Sequence, residues 1–210
     1  MREAVEATTP FSTIDPMVTS RLQVVHDALE LGNWTVAVNS DDALKNRLIN
    51  QGVKHPEKRD SITWDDANLF FLSCVELSRT GEPAPLEAGI SKEKFGRFPY
   101  GDGSSITYLQ NNIRANKRMD GYDDLCDLVD CLSSRLINTS KHIGIGGLKM
   151  MGWLTLEEVK QLRNLITSRC WMPAADEPLD GGCQDAAKHL SALLRAAEKR
   201  KCGVLLRIHD

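Results

Sequence analysis

Cys183 follows Asp180, Gly181 and Gly182, and helical periodicity resumes directly after it, so its thiol stands at the predicted start of a helix. The partial positive charge of a helix N-terminus lowers a thiol pKa and favours the nucleophilic thiolate. Such a nucleophile also needs a base. The five histidines His26, His55, His142, His189 and His209 are the candidates, and the sequence selects none of them. His189 sits six residues along the same helix and points about 120° away from Cys183. A glycine turn followed by a half-buried thiol explains the same residues without any chemistry.

A second group is acidic. Asp123, Asp127 and Asp130 recur in the stretch 120–138. At about 100° per residue they fall within about 60° of one another on a helix. Leu125, Leu128, Val129, Leu132 and Leu136 gather on the opposite side, so the aspartates face solvent. An exposed acidic stripe suits docking of a basic protein. The acids at 120, 123 and 124 also suit the positive end of the helix they would open, which is a purely structural use of them.

The common catalytic signatures are absent: the chain has no G-x-x-x-x-G-K-[ST], G-x-S-x-G, H-E-x-x-H or G-x-G-x-x-G. The segment 142–149 (HIGIGGLK) is glycine-rich, but no helix start follows it directly, as a phosphate cradle requires. It reads as a flexible connection. Tyr100, Gly101, Asp102, Gly103, Ser104 and Ser105 read as a turn with a helix cap rather than an anion site. The tryptophans at 34, 64, 153 and 171 adjoin apolar runs and are assigned to the core. No C-x-x-C pair occurs among the six cysteines, so reduced thiols are expected, with no zinc site, no other metal and no cofactor.

These residues must be positioned by a chain of 210 residues with 41% hydrophobic and 26% charged content, the composition of an ordinary globular protein. One domain over 1–210 is expected, with 1–14 as a flexible arm and a possible subdivision near 81–90, where Pro83, Pro85 and Gly89 cluster. Asp15 and Pro16 look like a helix cap and first turn, followed by Val18, Leu22, Val25 and Leu29 at helical spacing up to Gly32. The alternating WTVAVN at 34–39 predicts a short strand. Ser40 begins a helix closed by Gly52, and Thr63 with Asp66 opens a mostly apolar helix over 64–79.

A helical turn is expected from Ser91, a loop over 98–103, and a helix from Ser104 or Ser105 to about 118. Beyond the helix at 120–138, the glycines at 144, 146, 147 and 152 predict a flexible link. Thr155 and Glu158 then form a capping box for a helix buried through Leu156, Val159, Leu162 and Ile166. After a loop over 172–182, the last helix turns Leu190, Leu193, Leu194 and Ala197 inward and is closed by Gly203. VLLRI at 204–208 predicts a terminal strand paired with WTVAVN, since a lone strand leaves its backbone unsatisfied. The fold class is mainly α (α+β), helical with a small sheet that includes the C-terminal strand.

The net charge of −3 and the shortness of the basic clusters argue against nucleic acid as the principal partner. No apolar run approaches the ~18 residues of a membrane span and no signal core opens the chain, so a soluble, cytoplasmic protein is expected. Nothing in the sequence sets an oligomeric state. The reading that joins these points is a non-catalytic protein-binding module, an inhibitor, immunity-type protein or adaptor, that presents Asp123, Asp127 and Asp130 to a basic partner. The alternative is an enzyme that depends on the Cys183 thiol.

Overall fold

The structure, a computed structural model, describes residues 11–87, 104–178 and 181–209. The chain runs β1 (Phe11–Met17), α1 (Thr19–Leu31), α2 (Trp34–Asn39), α3 (Asp42–Asn50), a 3-10 turn (Arg59–Ser61) and α4 (Asp66–Cys74). It resumes with α5 (Ser105–Asn112), β2 (Ile113–Ala115), α6 (Tyr122–Ser134), β3 (Ile143–Gly144) and β4 (Leu148–Leu154). It then continues through α7 (Leu156–Ser168), β5 (Trp171–Pro173), α8 (Gly182–Arg200) and β6 (Gly203–His209). Helix therefore dominates, and the sheet includes the C-terminal strand.

The main sheet is antiparallel with order β1-β6-β4-β3, and β2 and β5 form a separate antiparallel ribbon. Alternate residues of a strand point to opposite faces. Met17, Met150, Trp153 and Leu205 accordingly join the apolar cluster of α1–α4, while Ile14, Leu154, Val204 and Leu206 join that of α5–α8. The sheet thus lies between two helical layers. Its inner strand β6 is covered on both sides, which is why Val204, Leu205 and Leu206 are apolar without alternation before Arg207. The helices before and after 81–90 lie on opposite faces of one shared sheet, and both clusters take residues from β1, β4 and β6.

Several local expectations are corrected. Residues 11–14 belong to β1 and are not an arm, and 1–10 lie outside the described residues. Asp15 and Pro16 are also in β1, paired with Leu205 and Val204, and α1 begins only after Val18. Proline is tolerated there because β1 is an edge strand. The segment 34–39 is helix α2, with Trp34, Ala37 and Val38 buried at helical spacing and Val36 68% exposed. Its Trp34 indole donates to Pro56 O at 2.8 Å, a tertiary bond that overrides β propensity. The expected pairing of 34–39 with the C-terminal strand is therefore replaced by β1 and β4.

The expected flexible link at 144–152 is a β-hairpin. Gly146 and Gly147 turn it with φ of 82° and 79°, a region that favours glycine. Gly152 sits at a register shift in β4 where an added Cβ would lie 2.1 Å from Cys131 O, so only glycine lets α6 approach the strand. Helix α4 stops at Cys74 rather than 79, because Cys74 O and Glu76 N bond the backbone at Val18 and Pro16 instead. Residues 113–115 leave the expected helix and pair with 171–173, a strand that takes the first two residues of the expected loop. The helix at 120–138 is shorter than expected, yet Leu136 beyond its end is still buried. The turn from Ser91 and the loop 98–103 lie outside the described residues.

Caps follow elementary rules. The Thr155–Glu158 capping box is present as expected, and Ser104 caps α5. The α3 cap is Asp41 rather than Ser40, and the α4 cap is Asp65 rather than Thr63. Asp41 also accepts two hydrogen bonds from Arg21, at 2.6 and 3.1 Å. Those bonds, aided by the Leu44 N–H and opposed by burial, hold its carboxyl below the usual carboxylate range. A depressed carboxylate contributes stability that is fully present above the unfolded value of about 3.9 and is lost as pH falls through the lower folded value. Arg21→Leu is expected to lower stability at neutral pH and to flatten its loss between about pH 4 and the acid limit. Denaturant titrations of both proteins across that range check this, and parallel acid profiles would contradict it.

Candidate functional site

Helix α6 is clamped from behind. Leu125, Leu128, Val129 and Leu132 are buried against α7, β4 and the rest of their cluster. Gly121, with φ of 98°, brings the chain into the helix at a point where an added Cβ would lie 2.7 Å from Leu165. The orientation is the one the amphipathic pattern predicts, and Asp123, Asp127 and Asp130 are all exposed. Asp130 accepts a 2.5 Å hydrogen bond from Gln110 Nε2. Among the described residues, no cation pairs with Asp123 or Asp127. The field of the stripe reaches its neighbour Cys126. Burial pushes that thiol up, and after a Tyr122 hydrogen bond that opposes the rise, the charges of Asp130, Asp123 and Asp127 push it the same way as burial.

Cys183 stands in the first turn of α8, after Gly181 with φ of 80°, and is 0% exposed. Its main-chain N–H donates to Glu177 Oε1 at 2.6 Å and its thiol to Asn112 O at 3.4 Å. Burial, then the Glu177 carboxylate, push the thiol up to about 12. The helix end that would have lowered it is already capped by an acid. Burial and the neighbouring acid both favour the protonated thiol over the thiolate.

The structure does not gather the histidines. His26 lies 3.2 Å from Asp27 and packs near Phe70 and Trp153, and His55 faces Glu57 at 3.8 Å. His142, in the bend before β3, and His189, on α8, are both half-buried. Trp34 and Trp153 are core residues as expected, while Trp64 and Trp171 are only partly covered. Among the described residues no group of three or more His, Cys, Asp or Glu could hold a metal ion, and no helix is long and apolar enough to cross a membrane.

One polar constellation escaped the sequence. Asp15 is fully buried and accepts two bonds from Arg207, at 2.5 and 3.1 Å, and the guanidinium stacks over Phe71 at 4.7 Å. Thr13 donates to Asp15 at 3.3 Å, and His209 Nε2 lies 3.0 Å from the same hydroxyl with its ring stacked on Phe11. The available signal was Thr13 and Asp15 at a spacing of two, which places both on one face of a strand. The mutual hydrogen bonding ties the edge strand β1 to its neighbour β6 through side chains as well as backbone. Set beside known proteins, the chain matches no family model, no curated protein and no solved structure.

Proposed function

We propose that the protein is a non-catalytic binding module, of the inhibitor, immunity-type or adaptor kind, whose α6 face docks onto a basic protein. The observation that carries this reading is the exposed row Asp123, Asp127 and Asp130 on a helix whose other face is immobilised in the core. A rigid row of like charges attracts a complementary surface at little ordering cost and speeds its encounter. The burial and raised pKa of Cys183 weigh against the thiol enzyme.

The test starts from a partner recovered by pull-down at low salt and then titrated at two salt concentrations. Reversal of all three aspartates to Lys is expected to weaken binding by about tenfold or more, and added salt to slow wild-type association, since a Debye length of about 8 Å screens exposed charges. Thermal melts of the triple variant should stay close to wild type. A lowered melt with unchanged, salt-insensitive affinity overturns the proposal, because it leaves the aspartates as helix N-terminal charges only.

A further inference from the structure

The β2–β5 ribbon has two strands and hence two edges, and the structure treats them differently. In its register Arg114 lies opposite Met172, and the flanking bonds run from Asn116 N to Cys170 O and from Ala174 N to Asn112 O, each 2.7–2.8 Å. Antiparallel ladders bond alternate residues, so the backbone groups of Ile113 and Ala115 point out from β2, and those of Trp171 and Pro173 point out from β5. On β2 the outward carbonyl of Ile113 is taken by the Tyr122 hydroxyl at 3.1 Å and by Arg114 at 2.7 Å. On β5, no described group outside the ladder bonds the Trp171 N–H, the Trp171 carbonyl or the Pro173 carbonyl.

A groove of about 650 Å³ borders β5. It is lined by three consecutive residues, Trp171, Met172 and Pro173, which point alternately to the two faces of the strand. Asn116 and Thr167 line it too, so the groove reaches from the end of the ribbon along β5. Its far wall is one stripe of α8, Gln184, Ala187, Lys188 and Ser191, at helical spacing. Ile166 lines it as well, and Met172 stands 51% exposed beside it. The charged residues of the lining are Arg169 and Lys188, both positive, and the exposed Arg114 sits across the ladder from Met172. Asp185 approaches Lys188 only at 3.9 Å, with both side chains more than four-fifths exposed.

We infer that the β5 edge, with its mixed polar and apolar groove and two cations, binds an extended acidic peptide segment of a partner as a third strand. Strand addition uses main-chain hydrogen bonds for affinity and alternate side chains for selectivity. The peptide's backbone meets Trp171 and Pro173, its apolar side chains enter beside Trp171 and Ile166, and its carboxylates meet Arg169 and Lys188. An extended ligand fits because the wall opposite is already a helix and the open groups are those of a strand. This surface is separate from the α6 face and opposite to it in sign.

The probe is a fluorescein-labelled hexapeptide of alternating Val and Glu, titrated by anisotropy against the full chain. Three controls accompany it: the same peptide with alternate backbone nitrogens methylated, its Val and Lys counterpart, and the R169E/K188E variant, whose fold is checked by thermal melt. The Glu peptide is expected to bind, with about tenfold or greater weakening on methylation and in the charge-reversed variant, and the Lys peptide is expected not to bind. Failure of the Glu peptide to bind overturns the inference. So does equal binding of the methylated peptide, which reduces the contact to charge attraction, or equal binding by R169E/K188E.

Discussion

Leu132→Asp is expected to lower stability by about 3 kcal/mol or more, while Asp127→Ala leaves it nearly unchanged. Leu132 is 0% exposed on the inner side of α6, and its main chain abuts the strand at Gly152. The substitution removes core contacts worth about 2–5 kcal/mol for a large apolar side chain and adds the cost of a charge away from water. Asp127 lies on the outer side of the same helix and has no cation beside it among the described residues. Urea unfolding of the two variants reads the difference directly. Equal stabilities would refute the orientation of α6 on which the binding proposal depends.

Asp15→Ala is expected to cost about 3–5 kcal/mol, because it strands the Arg207 guanidinium inside the fold. The carboxylate it removes is fully buried and accepts both bonds of a two-point contact. A buried ion pair need not be stabilising as a whole, since the desolvation of both charges opposes their attraction. The double variant Asp15→Leu with Arg207→Leu is therefore expected to regain much of the loss, and denaturant unfolding of single and double variants forms the cycle. Additive losses in the double variant would show that the two side chains act independently.

Legibility of the fold follows the range of the interactions involved. The strand at 204–208, the α7 capping box and the inward face of α6 were readable because each is written in neighbouring residues: an apolar run, a Thr–Glu spacing, a helical period. Helix α2 was not, because six residues contain less than two helical turns and Trp34 is held by Pro56 across a loop. Asp15 and Pro16 imitate a helix start, and only pairing with β6 makes them strand. The glycines at 146, 147 and 152 look alike in sequence but divide between a turn and a close approach to α6. For the sites, the exposure of the three aspartates was readable from period alone. The state of Cys183 was not, since the acid that caps its N–H and raises its pKa, Glu177, belongs to the preceding loop. The Asp15–Arg207 contact joins residues 192 positions apart, beyond any local pattern.

The place of β6 sets the order in which this fold is able to close. It lies between β1 and β4 and supplies side chains to both apolar clusters, and its paired residues on β1 are as much as 198 positions away, from Phe11 to His209. On a ribosome that adds about 5–20 residues per second, β1 waits roughly 10–40 s for that neighbour. Through this interval α1–α4 have emerged with Met17, Leu22 and Phe70 facing a floor that lacks its central strand. Contacts of such long sequence separation also slow refolding, because the loop entropy is lost before the contact forms. The apolar side of the nascent N-terminal layer thus stays without its strand until the C-terminal segment is made, whatever the final stability.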